Sequence, residues 1–435
     1  MEIKVPLQPA GLEIIKNNVA DISDENKIEV KTFEIPSGTD MKSAGMKINI
    51  DASLASVILT SLDELAGYPY GCVEQTMSRF LPTVIVAKAF REINAPISEA
   101  TKKDLPLMVD KGLQRLYGFQ HSDGGWGWWE NDNSSPFMTA YVVYGLAIAA
   151  ESGYEVRDGV LSNGKSAIKN HLNKNEKDLT TRAYMLYSLA TAGKENNDYI
   201  KRILETMNMS EMNDYAKSLA AMTWKLIGNE RKAKEELISL EKNVKTSGEG
   251  AAYWEGKEFH YRWQDDKVQT TAMALKAIVN INEASDLKEK VIRWLMMQRR
   301  GNAWRSTQET AMIIYAMVDY LKNSPELDPD YNVKIFVNNN IVSDLNMNKS
   351  NVFTKSEPVV IDNKNLNIGQ NQIRIEKSGR GKVYFSSAAS YFDKSSGSKS
   401  SENGFRIERE YFKLEKYESY SEDKLFTGKN ILTAV

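Results

Sequence analysis

A single cysteine, Cys72, stands among 435 residues. No disulfide can form within the chain, so packing alone has to hold the fold. Three scattered histidines, His121, His171 and His260, together with one thiol do not make a zinc spacing. No metal or other cofactor is expected. No glycine-rich phosphate loop follows a strand. No apolar run reaches the length that crosses a bilayer, and Met1-Glu2-Ile3-Lys4 lacks the character of a secretion signal. Neither sign of charge dominates. The 56 basic and 58 acidic side chains leave a net charge of −2, so no overall basic field points to nucleic acid.

What is present is ordinary for a folded soluble chain, with 42% hydrophobic and 26% charged residues. The length suits two or three domains. The last residues, Thr433-Ala434-Val435, read as an arbitrary stop, and the chain is expected to be a piece of a longer protein.

Residues 1–50 read as β. Glu29 to Ile35 is strand-like, Pro36-Ser37-Gly38-Thr39-Asp40 is a turn cluster, and Met46, Ile48 and Ile50 alternate with polar residues. From about 52 to 323 the period is helical. Candidate helices are 53–65, 72–92, 99–118, 136–152, 160–173, 177–192, 197–208, 212–227, 230–243, 266–281, 285–298 and 305–322. Similar lengths and short links suggest consecutive antiparallel pairs, closed either as an α-solenoid or as an α/α toroid. Ala140, Ala147, Ala216, Ala220, Ala272 and Ala274 suit close helix packing in both.

After Pro325 the period returns to two. Val333, Ile335 and Val337 alternate with polar residues. Ile373-Arg374-Ile375, the turn Gly379-Arg380-Gly381 and Val383-Tyr384-Phe385 read as an antiparallel hairpin. Ser395 to Ser401 is a linker by composition.

The chemistry concentrates at Tyr68-Pro69-Tyr70-Gly71-Cys72-Val73-Glu74-Gln75. A Pro and a Gly precede the start of an apolar helical pattern, which suits a tight turn feeding a helix N-terminus. Cys72 and Gln75 are three residues apart, within reach on one helix face. A thiol and a carboxamide held so can condense with loss of ammonia to an internal thioester. An amine or hydroxyl from another molecule then attacks the carbonyl, and the sulfur leaves as a thiolate, which a helix N-terminus favours. The alternative for Cys72 is a small buried hydrophobe. Glu74 could order the turn or assist proton transfer, with a solvated helix-start carboxylate as its plainer role. Tyr68 and Tyr70 are candidate shields for a bond that must be kept from water, or simple turn packing.

This octapeptide resembles the thioester segment of the α2-macroglobulin and complement family. Animal members read Cys-Gly-Glu-Gln, often after Pro-Tyr-Gly, whereas bacterial members place an aliphatic residue second, as Val73 is here. Three further segments are similar in order: Asp123 through Thr139-Ala140-Tyr141-Val142-Val143, Val268-Gln269-Thr270-Thr271-Ala272, and Arg305-Ser306-Thr307-Gln308-Glu309-Thr310. The resemblance implies a mainly α fold, an α/α toroid of about six hairpins inserted in a small CUB-like β-sandwich. Residues 1–50 and 330–394 would be the two parts of the sandwich and 51–325 the toroid. Residues 402–435 would open a truncated macroglobulin-like β domain, beginning with Gly404 to Phe412.

It further implies a broad protease trap with single-use acyl-transfer chemistry rather than an enzyme. Target proteases would be captured through lysines after bait cleavage elsewhere, with other domains of the full-length chain as partners. A periplasmic placement, anchored by a part outside this chain, is also implied. Complement-type members relay the acyl group through a histidine. That position falls near Thr180 or Thr181 here, and His121, His171 and His260 do not match it, so direct attack by amines is expected.

Two loops interrupt the helices. They are His121-Ser122-Asp123-Gly124-Gly125-Trp126-Gly127-Trp128-Trp129-Glu130 and the stretch from Tyr253-Trp254 to Asp265-Asp266. Their tryptophans either plug the ends of a helical ring or form a rim near the reactive site. Asp123, Glu130, Asp265 and Asp266 support a competing reading, a glycoside hydrolase or cyclase on the same ring. A third reading is an inert interaction module.

Overall fold

The computed structural model describes residues 11–65, 71–92, 99–174, 177–256, 266–299, 303–322, 324–353, 357–393, 412–414 and 432–434. Three strands open the chain: β1 (Leu12–Ile22), β2 (Asn26–Ile35) and β3 (Thr39–Asp51). Twelve helices follow: α1 (Leu54–Leu65), α2 (Val73–Glu92), α3 (Glu99–Gly118), α4 (Pro136–Glu151), α5 (Asp158–Asn173), α6 (Leu179–Thr191), α7 (Asn197–Thr206), α8 (Asp214–Leu226), α9 (Glu230–Glu241), α10 (Lys267–Ile281), α11 (Leu287–Met297) and α12 (Thr307–Lys322). A short ribbon, β4 (Lys245–Thr246) with β5 (Ala252–Tyr253), precedes α10. The chain then returns to β structure: β6 (Asp330–Val337), β7 (Asn340–Asn348), β8 (Val359–Asp362), β9 (Gly369–Arg380) and β10 (Val383–Asp393).

The helices close a ring. Helices α2, α4, α6, α8, α10 and α12 pack each against the next, and α12 returns to α2. Helices α3, α5, α9 and α11 pack on the outside of the partner that precedes each in sequence, α7 does so on α6, and α1 backs α12. Two concentric layers make an α/α toroid. The inner helices are buried almost all round: in α10, Gln269 through Val279 are all buried, as expected for a helix with neighbours on every side. The outer helix α7 buries only Ile200 and Leu204. Ala140, Ala216, Ala220, Ala272 and Ala274 have no exposed surface, and their small side chains let the inner helices approach closely.

Tryptophans plug the ring at three equivalent places. The indole N–H of Trp126 donates to the Leu116 carbonyl (2.7 Å), that of Trp254 to Leu240 (2.8 Å) and that of Trp304 to Leu295 (2.7 Å). Each acceptor lies in the last turns of an outer helix, where carbonyls lack intrahelical donors. The backbone N–H of the same tryptophans donates to Thr139, Thr271 and Thr310, in the first turns of the next inner helices. One device therefore closes three outer-to-inner connections.

Strands from before and after the helical ring build one sandwich. One antiparallel sheet runs β1-β10-β3-β8 and the other β2-β9-β6-β7. Met46, Ile48, Ile50, Val333, Ile335, Val337, Ile373 and Ile375 fill the space between them. The hairpin expected around Gly379 does not form. β9 pairs with β2 and β6, whereas β10 pairs with β1 and β3, so the turn crosses from one sheet to the other. Gly379 (φ +104°) and Gly381 (φ +123°) adopt conformations closed to most side chains, which lets the chain change sheet. Alternation along both strands remains, because each faces the shared core from its own side.

Polar bonds join sandwich and ring. Glu326, buried just before β6, accepts from the Leu54 N–H (3.0 Å) and the Tyr384 hydroxyl (2.6 Å) and pairs with Lys382 (3.3 Å). Arg299 pairs with Asp51 at 2.8 Å, both buried, and Arg293 reaches Asp21 on β1. Of the expected macroglobulin-like start, Gly404 to Tyr411 lies outside the described residues, and 412–414 pairs antiparallel with 432–434.

Candidate functional site

Gly71, Cys72 and α2 form the site. Gly71 has φ +101°, a conformation that glycine reaches without steric cost. The turn it makes sends Cys72 against the body of the ring, 8% exposed, at the mouth of the first helical turn of α2. Gln75, one turn on, is exposed. Its side chain folds back over the turn, and Oε1 accepts from the Cys72 N–H at 3.3 Å. The carboxamide thus lies against the Cys72 peptide at a helix N-terminus, where free N–H groups gather. At the spacing of three read from the sequence, the Gln75 carboxamide meets the Cys72 backbone N–H.

Two neighbours hold the turn. The Val73 N–H donates to the Trp128 carbonyl (3.0 Å), so the first tryptophan loop borders the site. That loop is rigid. Asp132 accepts from the Trp128 and Trp129 N–H groups (2.7 and 3.2 Å), and His121 bonds Ser134 Oγ and the Trp129 carbonyl, both at 2.9 Å. From α3, Arg115 donates to the Gly71 carbonyl (2.5 Å) and to Thr76 Oγ1 (3.2 Å).

Glu74 is not the solvated carboxylate expected. It is 5% exposed, turned into the ring, and accepts from Ser78 Oγ at 2.5 Å. Helix periodicity explains this, since position 74 faces α4 while 75 faces out. Burial raises its pKa, opposed by the Ser78 hydrogen bond. Burial and then the Glu74 charge also push the Tyr141 phenol up. Tyr68 and Tyr70 lie outside the described residues, as do His260 and Asp265. Thr180 and Thr181 are buried at the start of α6, with Thr181 bonded to the cap residue Asp178. His121 belongs to the bordering loop, and His171 lies in the last turn of α5.

Two of the four carboxylates of the competing hydrolase reading, Asp123 and Asp266, have structural partners. Asp123 accepts from the Gly125 N–H and Ser134 Oγ. Asp266 caps α10 through the Gln269 N–H (2.8 Å) and pairs with Arg305. Glu130 is exposed. Among the described residues, no group of His, Cys, Asp or Glu could hold a metal ion, and no helix is long and apolar enough to cross a membrane.

The sequence reading missed Glu309. It is buried at the start of α12, beside Asp266 and Arg305. Burial, with the Asp266 carboxylate next to it, pushes Glu309 up to about 7 from 4.5. The folded state then binds more protons than the unfolded state between those values. Its contribution to stability is full below the lower value and lost as pH rises through about 7. Glu309→Gln should therefore be more stable than wild type above neutrality, by about 1–3 kcal/mol. Below the lower value the two should match. Chemical denaturation across this pH range measures it, and parallel profiles for the two proteins would reject the assignment.

Comparison with known proteins agrees with the fold. The family model described as "A-macroglobulin TED domain" matches residues 46–156 and 152–320. The chain belongs to this family. An alpha-2-macroglobulin of Thermotoga maritima is 29% identical over 289 residues, 66% of this chain and 16% of that protein. An Escherichia coli alpha-2-macroglobulin is 24% identical over 272 residues, 59% and 16% of the two chains. Thioester-containing protein 1 (allele R1) of Anopheles gambiae is 22% identical over 330 residues, 70% and 24%. The chain therefore spans between 16% and 24% of these relatives' lengths. A crystal structure of native Escherichia coli alpha-2-macroglobulin, from domain MG7 to the C-terminus, superposes with a TM-score of 0.58 at 18% identity. It covers 89% of this chain and 58% of that one, and it shares the fold.

Proposed function

We propose that this chain is the thioester-bearing region of a protease-trapping α-macroglobulin and that its reactive bond joins Cys72 Sγ to the side-chain carbonyl of Gln75. The observation that carries the reading is the Gln75 carboxamide folded onto the Cys72 peptide above a glycine turn. Formation joins Sγ to Gln75 Cδ and releases the carboxamide nitrogen as ammonia with the thiol proton. In capture, a lysine amine of the protease attacks Cδ. The Sγ–Cδ bond breaks with its electron pair going to sulfur, and an amide forms as the amine sheds a proton. Protein-bound amide and thiolate are the end state, so each molecule acts once. The trigger and the bait belong to other parts of a larger protein, and a periplasmic placement goes with that role.

Intact mass of the freshly purified chain tests the reading. The expected mass is lower than the sequence mass by one ammonia, and methylamine should add with release of a titratable thiol. A carboxylate at position 75, found by peptide mapping, is the product of water attack and supports the reading equally. Cys72→Ala and Gln75→Ala should each abolish uptake with the ring still folded. An unmodified Gln75 and unchanged mass in every preparation would leave Cys72 a buried thiol. Without a histidine at the Thr180–Thr181 position, uptake should favour a lysine analogue over glycerol. A preference for glycerol that is lost on mutating His121, His171 or His260 would overturn direct amine attack.

A further inference from the structure

We infer that Arg115 is the positioning residue of this site. The inference rests on the thioester reading for its function and on geometry alone for its structural half. Cys72 has a peptide bond on each side, and Arg115 fixes both. One guanidinium nitrogen donates directly to the Gly71 carbonyl at 2.5 Å, on the peptide that precedes Cys72. Its Nε–H donates to Thr76 Oγ1 at 3.2 Å. The Thr76 hydroxyl in turn donates to the Cys72 carbonyl at 2.9 Å, on the peptide that follows. The guanidinium lies over the ring of Phe119, 4.9 Å from its centroid and just past the end of α3, which holds its plane.

The arrangement matters because the Trp128 carbonyl holds the turn only from Val73 onward, whereas Arg115 grips it at Gly71. Gly71 has no side chain, and a glycine in this conformation keeps alternatives open in the unfolded and partly opened states. The bond between Cys72 and Gln75 needs reacting atoms within a narrow range of distance and angle. A planar fork that grips the Gly71 carbonyl and the Thr76 hydroxyl at once suits this, and a lysine point charge cannot reproduce it. Nothing in the sequence marks Arg115, which lies 44 residues from Gly71 in an outer helix.

The test uses the whole chain as wild type, Arg115→Met and Arg115→Lys. Methionine keeps the stem against Phe119 and removes the donors. Amide exchange across 71–76 should rise by about tenfold in Arg115→Met, the usual worth of charged hydrogen bonds. The thioester fraction, or its lifetime in water, should fall by a similar factor, while the thermal midpoint moves little. Lysine should likewise keep the midpoint without restoring the exchange protection, a split that a merely structural residue would not give. Equal exchange in all three proteins would overturn the inference. So would a thioester of wild-type yield and lifetime in Arg115→Met. If exchange rises as expected but the wild type never loses ammonia, Arg115 still holds the turn and only the thioester reading falls.

Discussion

Gly71→Ala is expected to eliminate methylamine uptake while leaving the ring folded. A Cβ built at position 71 would lie 1.7 Å from Gln75 Oε1 and 2.8 Å from its Cδ. The third close atom, at 3.4 Å, is the Gln75 Cβ. Relief needs no movement of the core, because the Gln75 side chain can swing into solvent. That movement takes the carboxamide away from the Cys72 peptide, and the bond can no longer close. Alanine at φ +101° also costs about 1–2 kcal/mol, small against a typical folding stability of about 5–15 kcal/mol. Thermal unfolding should show a slightly lowered but cooperative transition, and intact mass should show no ammonia loss. Uptake at the wild-type level would mean that Gln75 reaches Cys72 by a route that does not cross Gly71.

The site was readable from the sequence where its logic is local. Cys72, Gln75 and the Gly71 turn lie within five residues, and helix geometry alone places them together. Glu74 was misread because a helix start near polar residues resembles a solvated one, and only the neighbouring helix α4 makes that face an interior. Arg115 and Glu309 were invisible because their partners are distant in sequence or on another helix. The twelve helices were legible within a few residues, since each carries its own period. Ring closure was legible only through the family resemblance. It depends on α12 returning to α2, a pairing that no local pattern encodes. The tryptophan repeat escaped for a different reason. Trp126, Trp254 and Trp304 stand 13, 17 and 6 residues before their threonines, so one three-dimensional device has three different spacings.

The sandwich shows the same division. Alternation marked the strands around Ile48, Val333 and Ile373, but it marks a face and not a partner. β9 and β10 look like a hairpin by spacing, yet they lie in different sheets, because their alternate residues meet across the core.

Glu326→Ala is expected to cost about 3–5 kcal/mol, the usual result of removing one side of a buried ionic cluster. Three groups lose their shared acceptor: the Leu54 N–H at the start of α1, the Tyr384 hydroxyl on β10 and the Lys382 ammonium. All are close to the junction where the chain enters and leaves the ring, and Glu326 itself is 5% exposed. An orphaned N–H, an orphaned hydroxyl and an unpaired lysine, side by side in a place water reaches poorly, are each unfavourable. The nearby Arg299–Asp51 pair cannot substitute, since its carboxylate is already bonded. Glu326→Gln should cost less, because an amide oxygen still accepts from Leu54 or Tyr384 and only the charge beside Lys382 is lost. Urea denaturation of the three proteins, followed by tryptophan fluorescence for the ring and by far-ultraviolet dichroism for the whole, provides the measurement. In Glu326→Ala the two signals should separate, because the eight tryptophans fall between residues 126 and 304 of the sequence and the sandwich strands contain none. Coincident transitions at the wild-type midpoint would show that packing, and not this carboxylate, couples the two parts.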